Sequence, residues 1–404
     1  MKSISPIKSQ PLLRIKLENL LSFGPTMPPL ELEDLNVLIG PNAAGKSNLI
    51  EALSLMRATL VPAAAANTDL RGVIRRGGGV NEWVWKGQKG VSATVDLVVE
   101  YPNGKQPLRH VLSFQSDQQG FRIEDERIEN EKPDPGKPEP YFYYRFYHGH
   151  PVVNTKGLLK ERKLAPANAN PDLSILAQLR DAEQYPEMEH LTKFYETIRI
   201  YREWAFGRNT VFREPQKADI RSDRLEEDFS NLGLFLSRLR KTPKVKAAIL
   251  EGLKDLYEGV TDFEPVVEGG TVQVFFSEGD FSVPATRLSD GTLRYLCLLA
   301  ILCDPTPPPL ICIEEPELGL HPDILPKLAD LLVLASKRTQ LIVTTHSDIL
   351  VDSMTERPQS VIVCEKRGGS TEMKRLKKHE LDKWLGKYRL GQLWTQGEIG
   401  GVRW

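Results

Sequence analysis

The stretch that decides the fold runs from Leu35 to Leu60, LNVLIGPNAAGKSNLIEALSLMRATL. A short apolar run, Leu35 to Ile39, meets the octapeptide GPNAAGKS, Gly40 to Ser47. Apolar residues then recur at helical spacing, at Leu49, Leu53, Met56 and Leu60. Strand, glycine loop and helix in direct succession form the context in which G-x-x-x-x-G-K-[ST] binds phosphate. Glycines let backbone N–H groups turn inward around phosphate oxygens, and the helix N-terminus adds partial positive charge. Read this way, Gly40, Pro41, Asn42, Ala43, Ala44, Gly45, Lys46, Ser47 and Asn48 form the cradle. Lys46 reaches the β- and γ-phosphates, and Ser47 ligates Mg2+. The expected ligand is a nucleoside triphosphate.

A second stretch, LICIEEPELGLHP (Leu310 to Pro322), ends an apolar run in two adjacent glutamates, Glu314 and Glu315. Buried carboxylates need a cation, a metal or several hydrogen bonds. The phosphate loop supplies that partner. In P-loop proteins one acid at a neighbouring strand end holds Mg2+, and a second can handle the attacking water. Glu314 takes the first role here and Glu315 the second. ATRLSDGTLRYLCLLAIL places Ser289, Asp290, Gly291 and Thr292 at the start of an apolar helix, where N–H groups and hydroxyls suit a phosphate. LIVTTHSDIL ends another apolar strand at His346, where an imidazole can contact a γ-phosphate. Alone, Ser289 reads by default as a helix N-cap and His346 as a satisfied structural histidine. Order and spacing add the weight: Ser289 precedes Glu315 by 26 residues and His346 follows it by 31.

These four motifs, in this order, resemble the ATP-binding-cassette ATPases of the RecF/SMC-like branch. LSDGT corresponds to their signature, LICIEEPE to Walker B, LGLHP to the D-loop and TTH to the switch histidine. IEEPELGLHP and the ending LGQLWTQGEIGGVRW are most similar to OLD-like (overcoming lysogenization defect) AAA family ATPases of bacterial defence systems. The resemblance spans both ends of the chain and not its middle. It implies an α/β P-loop NTPase head with an antiparallel β-subdomain; the insertion in that head reads as mostly helical from its own sequence, in PDLSILAQLRDAEQ and NLGLFLSRLRK. It also implies ATP and Mg2+ as ligands, and an ATP-dependent homodimer or higher oligomer in which each P-loop meets the other subunit's signature. Glu315 is then the catalytic glutamate, Glu314 and Ser47 support the metal, Ser289 and Gly291 contact the γ-phosphate in trans, and His346 senses it. Asp290 departs from the pattern, standing where the signature usually has glycine. No clear Q-loop is present; Gln88 is the nearest candidate.

The remainder of the sequence bounds these expectations. With 404 residues, 40% hydrophobic and 26% charged, the composition is that of a globular protein too long for one ordinary core. No run of eighteen apolar residues suggests a membrane span. The start lacks the apolar core of a secretory signal. Four cysteines (Cys297, Cys303, Cys312, Cys364) in apolar segments read as buried thiols, hence a cytoplasmic protein. The balance of 53 basic and 54 acidic residues argues against a constitutive, strongly basic nucleic-acid binder. A charged, proline-rich break at EKPDPGKPEPY suggests three parts: 1–130, with Walker A and a β-lobe; an insertion, 131–258; and 259–404, with the other motifs. With 58 residues after His346, no Toprim nuclease domain of the kind that OLD-type proteins carry is expected within this chain. The expected partner is therefore a separately encoded effector in anti-phage defence, with no membrane. The alternative is a RecF-like DNA-binding ATPase of repair, for which DNA is the partner; an importer subunit ranks last. YFYYRFYHGH reads as a pleated hairpin in preference to a base-stacking surface. The basic stretch from Lys374 to Arg389 reads as a solvated helix face, and Trp394 and Trp404 as docking or partner anchors with equal weight.

Overall fold

Alternating apolar and polar residues build the first sheet. In LLRIKLE the strand Leu12–Glu18 buries Leu12, Ile15 and Leu17. An irregularity between Leu12 and Arg14 moves Leu12, in place of Leu13, onto the buried face. The computed structural model describes residues 10–401 except 63–67, 118–119, 148–149, 155–161, 164–169, 171, 206, 208–209 and 211–212. It divides into two compact units, one holding residues 10–198, 362–376 and 399–401, the other 199–361 and 377–398.

In the first unit, Leu12–Glu18 lies between Leu30–Glu31 and Ala93–Val99 in an eight-stranded antiparallel sheet. The sheet continues through Leu108–Asp117, Gly120–Asn130, Phe142–Tyr147, His150–Val153 and Arg162–Lys163. Ala93–Val99 and Leu108–Asp117 form a hairpin around Pro102, with Val95 opposite Leu112. YFYYRFY forms a strand, and its Tyr144 and Phe146 are buried, as a packed hairpin requires. His148 lies outside the described residues. In the same unit the wholly buried strand Leu35–Ile39 neighbours Val361–Arg367, which turns back into Ser370–Arg375. The helix Lys46–Ala58 follows directly and buries Leu49, Leu53 and Met56.

In the second unit three parallel strands, Arg199–Tyr201, Leu310–Glu314 and Gln340–Thr344, run side by side, with Cys312 between Ile200 and Ile342. Such strands are buried on both faces and read as continuous apolar runs, as LICI and LIVT do. Around them lie the helices Leu232–Arg240, Pro243–Lys254 and Asp290–Leu302. A small antiparallel sheet, with the hairpin Val260–Glu268 and Thr271–Glu278 turning at Gly269 and Gly270, completes the unit.

Residues 131–258 are thus shared between the units. The helical reading of this stretch holds for NLGLFLSRLRK and fails for PDLSILAQLRDAEQ. There, among the described residues, only a 3-10 turn forms, Ile175–Ala177. The reason is a buried carboxylate. Glu126 accepts from the Ser174 hydroxyl (2.5 Å) and the Ile175 N–H (2.9 Å), fastening the segment before a helix can extend. One other expectation is corrected, and for Trp394 the structure favours docking on the chain itself. Lys374 and Arg375 end a strand, and the following helix is confined to Lys378–Leu385. Trp394 is buried on the helix Leu390–Thr395, because its neighbours Leu390 and Leu393 share that apolar face; Trp404 lies outside the described residues. Three of the cysteines are buried and Cys303 is half-buried.

Candidate functional site

The P-loop is shaped by its glycines. Gly40 has φ +143° and Gly45 φ +95°, with Ala43 also left-handed at +61°. A Cβ on Gly40 would sit 2.1 Å from the Cys364 carbonyl oxygen, and one on Gly45 would sit 2.4 Å from Thr371 Oγ1 and 2.6 Å from Ser22 Oγ. Both positions therefore exclude side chains on conformational and steric grounds. Behind the loop, the Thr371 hydroxyl lies 2.6 Å from Ser22 Oγ and 3.0 Å from the Ala44 carbonyl, and Asn48 donates to Ser22 Oγ at 2.7 Å. Ser22 and Thr371, from the chain's first and last portions, thus brace the cradle. Their short hydroxyl side chains carry no motif that sequence reading could have found.

Lys46 is buried and folds back over the loop, donating to the carbonyls of Gly40 (2.8 Å) and Pro41 (2.9 Å). A lysine ammonium held against carbonyl dipoles at the mouth of a glycine loop presents positive charge where a phosphate would enter. Ser47 and Asn42 are exposed beside it. Burial pushes the Cys364 thiol up to about 12, so this cysteine is an inert packing residue under the loop.

In the second unit the expected acids take separate partners. Glu314 ends its strand in register with Thr344, its carboxylate 3.5 Å from Arg202 Nε and its carbonyl accepting from the Trp204 indole at 2.8 Å. Glu315 adopts φ +46°, rare for a residue with a side chain and costing about 1–3 kcal/mol. The turn is pinned at both backbone groups. Its N–H donates to the Thr344 carbonyl (3.0 Å), and its carbonyl accepts from Arg294 Nη2 (2.9 Å). Its carboxylate lies 3.6 Å from His346 Nε2, with both groups partly open to solvent. The strand that precedes His346 ends at Thr344, so the histidine stands on the loop beyond it.

That loop is held by Glu317, which sequence reading passed over. Its buried carboxylate accepts from the Thr345 hydroxyl (2.7 Å) and the His346 N–H (2.6 Å). Burial raises its pKa; those two bonds oppose the rise and the charge of Glu315 adds to it. Arg294 was missed as well. It stacks over Trp204 at 4.5 Å and burial lowers its pKa to about 10, still protonated at neutral pH. Its position, seventh in LSDGTLRYL, was the available signal: an arginine inside an otherwise apolar helix needs a partner.

Ser289 caps the helix Asp290–Leu302, its Oγ accepting from Thr292 N at 3.1 Å, which is the ordinary role weighed for it. Gly291 is required sterically, because a Cβ there would lie 2.9 Å from the Gly319 carbonyl of the LGLHP segment. Asp290 is paired with Arg213. Gln88 lies in an exposed turn, where its described contacts add nothing to the Q-loop reading.

Residues 35–352 match the family described as "AAA domain, putative AbiEii toxin, Type IV TA system". An SMC head bound to the C-winged helix domain of ScpA is similar in fold, at 14% identity and TM-score 0.52, with 91% of this chain and 99% of that one covered. So is a Smc head domain with an extended coiled coil bound to the C-terminal domain of ScpA derived from Pyrococcus furiosus. It is 12% identical, at TM-score 0.53, with 93% and 98% covered. At such identities the likeness is one of fold alone. No curated protein matches the chain.

Proposed function

The chain belongs to this AAA-domain family and has the P-loop NTPase fold, and from that premise we propose that it binds and hydrolyses ATP with Mg2+ as a nucleotide-dependent dimer. The observation that carries this reading is the turn at Glu315. A strained, doubly pinned backbone aims a carboxylate at a histidine across 3.6 Å, and strain of this kind persists where geometry serves function.

The roles follow from the side chains. Lys46 and the inward N–H groups of Gly40–Ser47 take the triphosphate. The Ser47 hydroxyl and the Glu314 carboxylate are hard oxygen ligands suited to Mg2+, and Glu314 already faces a cation in Arg202. When bound, Mg2+ neutralises charge developing on the β- and γ-phosphates. Glu315 orients and deprotonates the attacking water, and His346, held through Glu317, contacts the γ-phosphate. Ser289, Asp290, Gly291 and Thr292 serve the nucleotide of a second copy.

The biological setting we assign is regulation of a separately encoded effector by nucleotide state, as in OLD-like defence ATPases, in the cytoplasm. The family description, which names a toxin and a toxin–antitoxin system, supports a two-component arrangement. So do the two SMC heads, each solved with a ScpA domain bound. No helix among the described residues is long and apolar enough to cross a membrane. The competing role, a RecF-like clamp, requires ATP-dependent, salt-sensitive DNA affinity.

The test is the solution mass of the Glu315→Gln protein with and without Mg-ATP. A shift from monomer to dimer on adding Mg-ATP is expected. A monomer that persists at saturating ATP would sink the dimer reading.

A further inference from the structure

Asp290 is the oddity of the signature segment. It is the first residue of a thirteen-residue helix, at the end that favours an anion, and it brings an anion of its own. A triphosphate approaching that end would meet a carboxylate. The stretch REPQKADIRSD, with its mixed charges, carries no motif, yet its first residue answers this problem. Arg213 donates from Nη2 to Asp290 Oδ1 (2.5 Å), from Nη1 to the Thr286 carbonyl (2.5 Å) and from Nε to the Gly207 carbonyl (2.9 Å). The guanidinium is mostly shielded, at 16% exposure against 50% for the Asp290 side chain. Two of its three bonds go to backbone carbonyls on either side, so its position does not depend on Asp290.

We propose that Arg213 is a positioning residue of the nucleotide site: it neutralises Asp290, so that the Ser289–Thr292 segment can accept the γ-phosphate of a second copy's ATP. This rests on the reading of that segment as a signature acting in trans. The Arg213–Asp290 pair replaces the glycine expected at the third position of LSDGT. It also makes Arg213 itself part of the nucleotide-responsive surface. The role is electrostatic, which separates it from mere packing: the requirement for Arg213 should vanish when the Asp290 carboxylate does.

The test is a double-mutant cycle in the Glu315→Gln background, reading the Mg-ATP-dependent dimer dissociation constant by analytical ultracentrifugation. Arg213→Gln, which keeps a hydrogen-bond donor without the charge, should weaken the dimer about tenfold or more. Added to Asp290→Gly, the same substitution should cost less than about threefold. Arg213→Ala run through the same cycle guards against misfolding of one variant, with nucleotide-free thermal melts confirming that each is folded. Equal losses in both backgrounds, or no loss in either, would overturn the proposal. If the Glu315→Gln parent stays monomeric in Mg-ATP, the trans reading itself fails and the role of Arg213 with it. A dimerising parent with an uncoupled cycle overturns Arg213 alone.

Discussion

The P-loop and the Glu315 turn are built on opposite plans. The P-loop is a backbone device. Its shape comes from Gly40, Ala43 and Gly45 in left-handed conformations, packed so closely on Cys364, Thr371 and Ser22 that no side chain fits at either glycine. The Glu315 region is a side-chain device, in which a strained turn is held by Thr344 and Arg294, and a histidine loop by Glu317. The first binds by presenting N–H groups and one ammonium; the second acts by keeping a carboxylate in one place. Binding and turnover should therefore fail separately.

The largest separation expected is in hydrolysis. Glu315→Gln should lower ATP turnover about 10²–10⁴-fold while retaining ATP binding. Lys46→Ala should do the reverse of that split, weakening ATP binding about a hundredfold or more by removing the buried ammonium. Equilibrium binding of a fluorescent ATP analogue, beside phosphate-release assays, distinguishes the two; equal turnover in parent and Glu315→Gln would strip Glu315 of its role.

Arg294 sharpens the comparison, because it holds the backbone carbonyl of Glu315. Arg294→Ala should reduce kcat about 10- to 100-fold through misplacement of the turn, with ATP affinity unchanged. Arg294→Lys should rescue little, since an ammonium reproduces neither the planar stack on Trp204 nor the directed bond to the Glu315 carbonyl. A loss of ATP affinity in parallel with kcat would show that Arg294 belongs to binding.

The smallest effect concerns Glu317 and pH. Burial raises its carboxyl pKa, so the folded chain holds that proton more tightly than the unfolded one. The contribution to stability is present in full below the unfolded carboxyl range and is lost as pH rises through the folded value. Glu317→Gln keeps an acceptor for Thr345 and His346 but cannot ionise. Its melting temperature should therefore vary less with pH in the acid range. Identical Tm–pH curves for the two proteins would remove the buried charge from the account.

What could be read in the chain follows from range. GPNAAGKS, the run before it and the helical period after it interact over a few residues, so strand, loop and helix were all legible. The same holds for LICIEE, for the LSDGT helix and for the hairpins with their glycine turns. PDLSILAQLRDAEQ misled because its fate depends on Glu126, about fifty residues away and in another strand.

The sequence by itself determined the class of the protein: a phosphate loop flanked by strand and helix, two glutamates closing an apolar strand, a capped apolar helix and a histidine beyond a third strand. Those features are local, set by glycine conformations, apolar period and motif spacing. Only the tertiary structure decided what surrounds them: Thr371 and Ser22 behind the loop, Arg294 and Glu317 around Glu315, and Arg213 against Asp290. Each is a hydrogen bond or ion pair between residues far apart in the chain, and no local pattern records which distant donor will meet which acceptor.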